Sequence, residues 1–278
     1  MTLRALAVFL AIAALFYVAF AGMLYAGQRR LLYVPDPAPP DPSRAGIGDI
    51  EVLHLDSGDG APLIAWYMPP AQPDGMVVLY LHGNAGHIGY RGDRLRSFHA
   101  AGWGAFLIEY RGYGGNPGKP TEAGLVLDAQ AGLARLRGLG VPPQRTVLWG
   151  ESLGSHLAVR LAAAQPFAAV ILESPFTSVA ALAKSFYPFV PVDLLLKDRF
   201  ETLPRIAAVR SPVLVLQGGR DRLVPPAMSR SVYEAVTARK ELWTAPEADH
   251  NDLGLFGAVE AAVAFAQRVT LEATQARP

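Results

Sequence analysis

The sequence predicts an α/β protein: a mostly parallel eight-stranded sheet with helices on both faces and a short cap, preceded by one N-terminal transmembrane helix. Three observations carry that expectation. Apolar, β-branched runs near 76–81, 105–110, 145–149, 168–172, 212–217 and 241–245 alternate with helical patterns, the order that builds parallel sheets. Gly150-Glu-Ser-Leu-Gly154 falls where one such run meets a helical stretch. The chain also carries no charge from Ala5 to Gly27.

The uncharged run comes first, between Arg4 and Arg29-Arg30. As a helix it is about 34 Å long at ~1.5 Å per residue, against a hydrocarbon core of ~30 Å. A cleaved signal peptide is the rival, since Ala19-Phe-Ala21 resembles a cleavage site. Signal cores are roughly 7–15 residues long, whereas this one continues through Met23-Leu-Tyr25. The expectation is therefore a single-pass anchor over residues 1–28 that meets the membrane through residues 5–27. Arg4 and the terminal amine stand against Arg29, Arg30 and Arg44, so the basic-residue rule leaves both orientations open. The linker Pro35-Asp-Pro-Ala-Pro-Pro-Asp-Pro42 follows, and a domain over 29–278 is expected to work independently of the anchor.

Ile50–Leu55 and Leu63–Met68 read as an antiparallel pair ahead of the parallel strands. A helix over 121–138 starts at Pro120-Thr121, a sound capping position. The cap has room only between the strand ending near Glu173 and the next at Pro212, within about 174–205. Its Phe176, Phe186 and Phe189 are candidates for an acyl pocket; packing of the cap on the core accounts for them equally well.

The chemistry centres on Ser152. A Gly-x-Ser-x-Gly between strand and helix makes a turn too sharp for flanking side chains, lifting the Ser hydroxyl to a helix N-terminus. Such a nucleophile needs a base and an acid on loops after later strands, in the order Ser, acid, His. Among the six His, His54 lies too early, His99 falls on a predicted helix and His156 lies one turn below Ser152. His250, after the strand candidate Glu241–Ala245, has the required place. Asp221, just past the run Ser211–Gln217, is the candidate acid; Asp193, Asp198, Asp249 and Asp252 are alternatives. His250 would take the Ser152 proton, and Asp221 would hold the imidazole tautomer. Arg220 and Arg222 are expected to project into solvent.

An oxyanion needs two rigid N–H donors. Leu153, after the nucleophile, offers one backbone N–H, and Asn84 in His82-Gly-Asn-Ala-Gly86 offers the other. That loop has neither phosphate-binding glycine spacing. His82 and His87 lack companion ligands, so no metal is expected.

His82-Gly-Asn-Ala-Gly86, Tyr110-Arg-Gly-Tyr-Gly114, Gly150-Glu-Ser-Leu-Gly154, Glu173-Ser-Pro-Phe-Thr-Ser178 and Asp249-His-Asn251 together carry a resemblance. From about residue 30 to about 270, including Leu31-Leu-Tyr-Val-Pro-Asp-Pro37, the chain resembles the membrane-anchored α/β-hydrolase domain-containing serine hydrolases, relatives of the serine aminopeptidase group. The resemblance implies the α/β-hydrolase fold and a Ser-Asp-His triad at Ser152, Asp221 and His250. Glu109 departs from the family, whose members usually carry Asp there. It also implies cleavage of esters, thioesters or lipids without fixing one substrate.

Composition agrees. With 51% hydrophobic residues the chain can fill a large core, and a net charge of +1 with scattered Lys and Arg gives no nucleic-acid footprint. Absence of cysteine excludes disulfides, a thiol nucleophile and cysteine lipidation. The sequence thus predicts a cofactor-free serine hydrolase acting on a small acyl or lipid-like substrate. An aminopeptidase-like amidase, or a silent α/β-hydrolase binding a lipid or partner at the membrane, are the alternatives.

Overall fold

A computed structural model of the protein describes residues 2–275. The chain opens with helix α1 (Leu3–Leu32) and a two-residue strand β1 (Val34–Pro35), then the hairpin β2 (Glu51–Asp56) and β3 (Pro62–Met68). Next come β4 (Val77–Leu81), the short β5 (Ala85–Gly86), α2 (Gly92–Ala100), β6 (Gly104–Ile108), α3 (Glu122–Gly138), β7 (Thr146–Glu151), α4 (Leu153–Ala164) and β8 (Ala169–Glu173). The cap holds α5 (Val179–Phe186), α6 (Val192–Leu195) and α7 (Leu203–Ile206). The fold closes with β9 (Val213–Gly218), α8 (Pro226–Ala235), β10 (Lys240–Ala245) and α9 (Ala258–Gln275).

Eight strands form one sheet in the order β10-β9-β8-β7-β4-β6-β3-β2. The ladders β2–β3 and β3–β6 are antiparallel and the others parallel. The parallel strands are apolar without alternation because both faces are covered. In β4, Val77, Leu79 and Leu81 join one core layer with Leu125 and Leu133 of α3 and Leu157 of α4. Val78 and Tyr80 join the other, with Leu95 and Phe98 of α2 and Phe265 of α9. Thr121 caps α3 as expected: its hydroxyl accepts from the Gly124 N–H at 3.0 Å.

The N-terminal segment differs from the independent anchor expected. Helix α1 continues to Leu32, and its last turns are bonded to the cap. Gln28 Nε2 donates to the Leu195 carbonyl at 3.1 Å, and its Oε1 accepts from Lys197 N–H at 2.7 Å. Arg29 Nε pairs with Asp198 at 2.7 Å, and Tyr17 donates its hydroxyl to the Phe189 carbonyl at 2.8 Å. Beyond the helix, β1 pairs in parallel with β5, fastening the chain to the loop after β4. The Pro-rich linker therefore begins inside the joint, with Pro35 paired to Gly86. A uniformly apolar run hides which of its faces docks, and the docking atoms are polar ones, of Tyr17 in mid-helix and of Gln28 and Arg29 at its end.

Gly154 fixes how closely α4 approaches the sheet. A Cβ there would land on the Leu81 carbonyl oxygen of β4. Gly154→Ala is expected to force strand and helix apart and lower stability by about 3 kcal/mol, read as a shifted urea midpoint at unchanged slope; a wild-type midpoint would show that this contact is slack.

Candidate active site

The elbow is built from strain. Ser152 stands at the N-cap of α4 with φ 49° and ψ −112°, a region non-glycine residues rarely occupy. Its N–H is held by the Glu173 carbonyl at 2.8 Å and its carbonyl accepts the Ser155 hydroxyl at 2.6 Å. A Cβ on Gly150 would stand 2.5 Å from both Gly154 O and Ser155 Cα, so neither flanking position admits a side chain.

The predicted site residues Ser152, His250 and Asp221 come together. His250 Nε2 lies 3.0 Å from Ser152 Oγ, and Nδ1 lies 2.7 Å from Asp221 Oδ2. The other Asp221 oxygen accepts from the N–H groups of Leu223 (2.9 Å) and Val224 (2.7 Å), which fixes the carboxylate plane. All three side chains are buried. Three of the alternative acids are engaged elsewhere, Asp193 with Lys184 and Arg199, Asp198 with Arg29 and Asp249 with Arg222; the fourth, Asp252, has a buried Oδ1 without a partner, while His250 Nδ1 meets Asp221. His156 is fully buried, and burial pushes its pKa down.

Asp249 has its own task. Its carboxylate accepts from the Arg222 N–H (3.1 Å), the Arg222 guanidinium (2.8 Å) and the His250 N–H (2.8 Å), clamping the Asp221 loop to the His250 loop. Those bonds, the Arg222 N–H first, hold its pKa at about 2. Arg222 is exposed, as expected, yet paired; Arg220 likewise pairs with Glu247.

The loop after β4 runs beside Ser152: a Cβ on Gly83 would stand 3.5 Å from Ser152 Cβ. Asn84 is fixed through its other groups. Its side chain donates to the Leu32 carbonyl (2.8 Å), and its own carbonyl accepts from Val34 N–H (2.9 Å) and the Tyr113 hydroxyl (2.8 Å). Among the described residues no acceptor takes the backbone N–H of Asn84 or of Leu153. Nor do three His, Asp or Glu side chains converge to hold a metal ion among them.

Beneath this lies a shell of carboxylates that the sequence did not announce. Glu109, Glu151 and Glu173 stand at or just past the ends of β6, β7 and β8, and the stretch Ile88–Arg94 bonds all three. Ile88 N–H donates to Glu109 at 2.8 Å, Arg91 to Glu151 at 2.6 Å, and Arg94 pairs with Glu173. Glu109 also meets His82 Nε2 at 3.1 Å, Glu151 accepts from the Tyr80 hydroxyl at 2.7 Å, and Glu173 accepts from Trp149 Nε1 at 2.8 Å. The only signal in the sequence is the charge itself, placed inside apolar strand ends. Burial works against ionisation of Glu151, but the Arg91 guanidinium outweighs it and holds the carboxyl well below the usual range.

Of the pocket candidates, Phe186 lines an apolar cavity beside the cap, whereas Phe176 and Phe189 do not. Phe176 is 2% exposed and packs into the core, because the chain turns inward after Ser174. Phe189 is 86% exposed, with only its carbonyl engaged, by Tyr17.

A family model described as serine aminopeptidase, S33, matches residues 71–200. An uncharacterized protein of Mycobacterium tuberculosis is 39% identical over 251 residues, covering 90% of this chain and 89% of its own. The Arabidopsis thaliana alpha/beta hydrolase domain-containing protein WAV2 is 31% identical over 279 residues, covering 88% and 90%. The chain belongs to the α/β-hydrolase family. An esterase of Pyrococcus furiosus, Pf2001, superposes with a TM-score of 0.68 at 20% identity, over 85% of this chain and 99% of that one. At that identity the likeness shows the shared α/β-hydrolase fold, and the family assigns hydrolysis as the general activity.

The depressed Glu151 carboxyl sets an acid limit. Its pairing stabilises the fold fully above the ordinary Glu pKa of about 4.3 and is lost as the pH falls below that value. Glu151→Gln is expected to cost about 2–3 kcal/mol at neutral pH. The same change should flatten the loss of stability from about pH 5 down to about pH 3, the range around and below that ordinary pKa. Urea unfolding across the acid range measures both effects; parallel acid limbs for the two proteins would assign that limit to other carboxylates.

Proposed function

We propose that this chain is a serine hydrolase that cleaves a carboxylic ester, thioester or related acyl bond through an acyl-enzyme. The observation that carries the reading is the unbroken hydrogen-bonded line from Ser152 Oγ through His250 to Asp221. Ser152 Oγ attacks the acyl carbon while His250 Nε2 takes its proton. Asp221 holds the proton on Nδ1, which leaves Nε2 free to accept, and stabilises the imidazolium that forms. The new oxyanion is received by the backbone N–H groups of Asn84 and Leu153. Collapse breaks the bond to the leaving group, which departs with the His250 proton. Water, deprotonated by His250, then attacks the acyl-enzyme, and the carboxylic acid leaves as Ser152 recovers its proton.

In the same reading α1 is a single-pass membrane anchor, and 29–278 is the hydrolase domain with its cap. Helix α1 is long and apolar enough to cross a membrane, and none of its residues is buried. An apolar cavity beside the site favours acyl groups over peptides.

Ser152→Ala is expected to abolish both ester turnover and fluorophosphonate labelling of the purified protein; labelling that survives the change would move the nucleophile elsewhere. Asp221→Asn should keep the fold by circular dichroism yet lower kcat roughly 10⁴-fold through the wrong imidazole tautomer. A near-normal rate in that variant would remove Asp221 from the mechanism.

A further inference from the structure

An apolar cavity of about 460 Å³ lies between the end of α1 and the cap. On the cap side it is lined by Leu182, Phe186 and Leu195, and on the α1 side by Leu24, Gln28 and Leu31. Those three α1 positions recur at i, i+4 and i+7, one face of a helix. Met23, on another face, is 65% exposed and does not line the cavity.

The cavity also reaches Asn84, whose side chain caps the Leu32 carbonyl, and Leu223, two residues after Asp221. It is therefore continuous with the loops that carry the oxyanion donor and the acid. Gln28, the one amide on the α1 side, is already engaged: Nε2 donates to the Tyr25 and Leu195 carbonyls and Oε1 accepts from Lys197 N–H. The lining is mostly aliphatic and aromatic, so burial there favours a hydrocarbon chain over a strongly polar occupant. At the outer end the cap tip exposes Phe189 and Leu194, 86% and 84% accessible, beside the exposed apolar surface of α1 to which Tyr17 binds it. The cavity thus leads from the loops of Asn84 and Leu223 toward the surface that a bilayer would cover.

We infer that the last turns of α1 form one wall of the acyl-chain site, so that the anchoring helix also sets which fatty acyl esters the enzyme prefers. The inference rests on the Ser152 reading above and deepens it. Leu24 and Leu31 are specificity residues, and the substrate class is a lipid ester whose acyl chain lies between α1 and the cap. Each methylene buried raises kcat/KM about fourfold until the cavity is full.

The test uses the full chain in lipid nanodiscs with p-nitrophenyl acetate and octanoate, comparing the octanoate-to-acetate ratio of kcat/KM among variants in the same lipid. Leu24→Trp fills the cavity from the helix side and Leu182→Trp from the cap side. Each is expected to lower that ratio at least tenfold. Met23→Trp, on another face of α1, should leave it at the wild-type value. A wild-type ratio in both filled variants, with native circular dichroism, would overturn the inference and leave the Ser152 reading standing. Should either variant fail to fold, the wild type still decides: Ser152 must react faster with dodecyl than with ethyl fluorophosphonate, and equal rates overturn the inference. Absence of any Ser152-dependent ester turnover in the wild type would remove the underlying reading and the inference with it.

Discussion

The site depends on one close approach. Helix α4 comes so near the sheet that Gly154 touches the Leu81 carbonyl, and the chain can reach that position from β7 only through a turn that puts Ser152 at positive φ. Strain of this kind costs of order 1–3 kcal/mol and persists only where surrounding contacts over-determine it. Here they do: the Ser152 N–H is bonded to the neighbouring strand, both flanking glycines are packed against backbone, and the helix below is buried. The serine hydroxyl is consequently presented in one orientation, and His250 and Asp221 need only be brought to it by loops that leave parallel strands at the same sheet edge. Two loops hold that alignment through Asp249, a residue that touches neither the nucleophile nor its hydrogen-bonded acid.

The joint between α1 and the cap changes how the chain divides. A spanning helix followed by proline and aspartate looks like a tether with a cargo. In the structure the helix carries part of the wall around the cavity, and its terminal carbonyl accepts from the side chain of Asn84, the residue after Gly83, which lies beside Ser152. Helix and cavity share residues, so the position of the helix and the shape of the cavity are one variable.

Much of this was legible in the residues. Period-two and continuous apolar runs gave all eight strands of the large sheet, and the antiparallel pair at its edge, because a buried parallel strand has few compositions open to it. The meeting of Ser152, His250 and Asp221 was legible because each follows a strand in a fixed order. The pocket was not: Phe176, Phe186 and Phe189 are the same residue type within one segment, and only the path of the cap decides that the first is core, the second lines the cavity and the third faces outward. Nor was the docking face of α1, since a helix apolar on every side has no amphipathic signature. The pairings of Glu109, Glu151 and Glu173 were hidden for another reason. They join residues far apart in the chain, and charge alone does not say what lies opposite.

Those pairings bear on how the molecule comes apart. Ile88–Arg94 is a short connecting segment between two strands, the kind of element that ordinarily opens by itself at little cost. Here it supplies partners to carboxylates at the ends of three strands. Opening it would withdraw the Ile88 N–H and the Arg91 and Arg94 guanidinium groups from three largely buried carboxyl groups, and a buried polar group that loses its partner is costly. The segment is thus coupled to the centre of the sheet: loosening it also disturbs the strand ends that lead to Ser152.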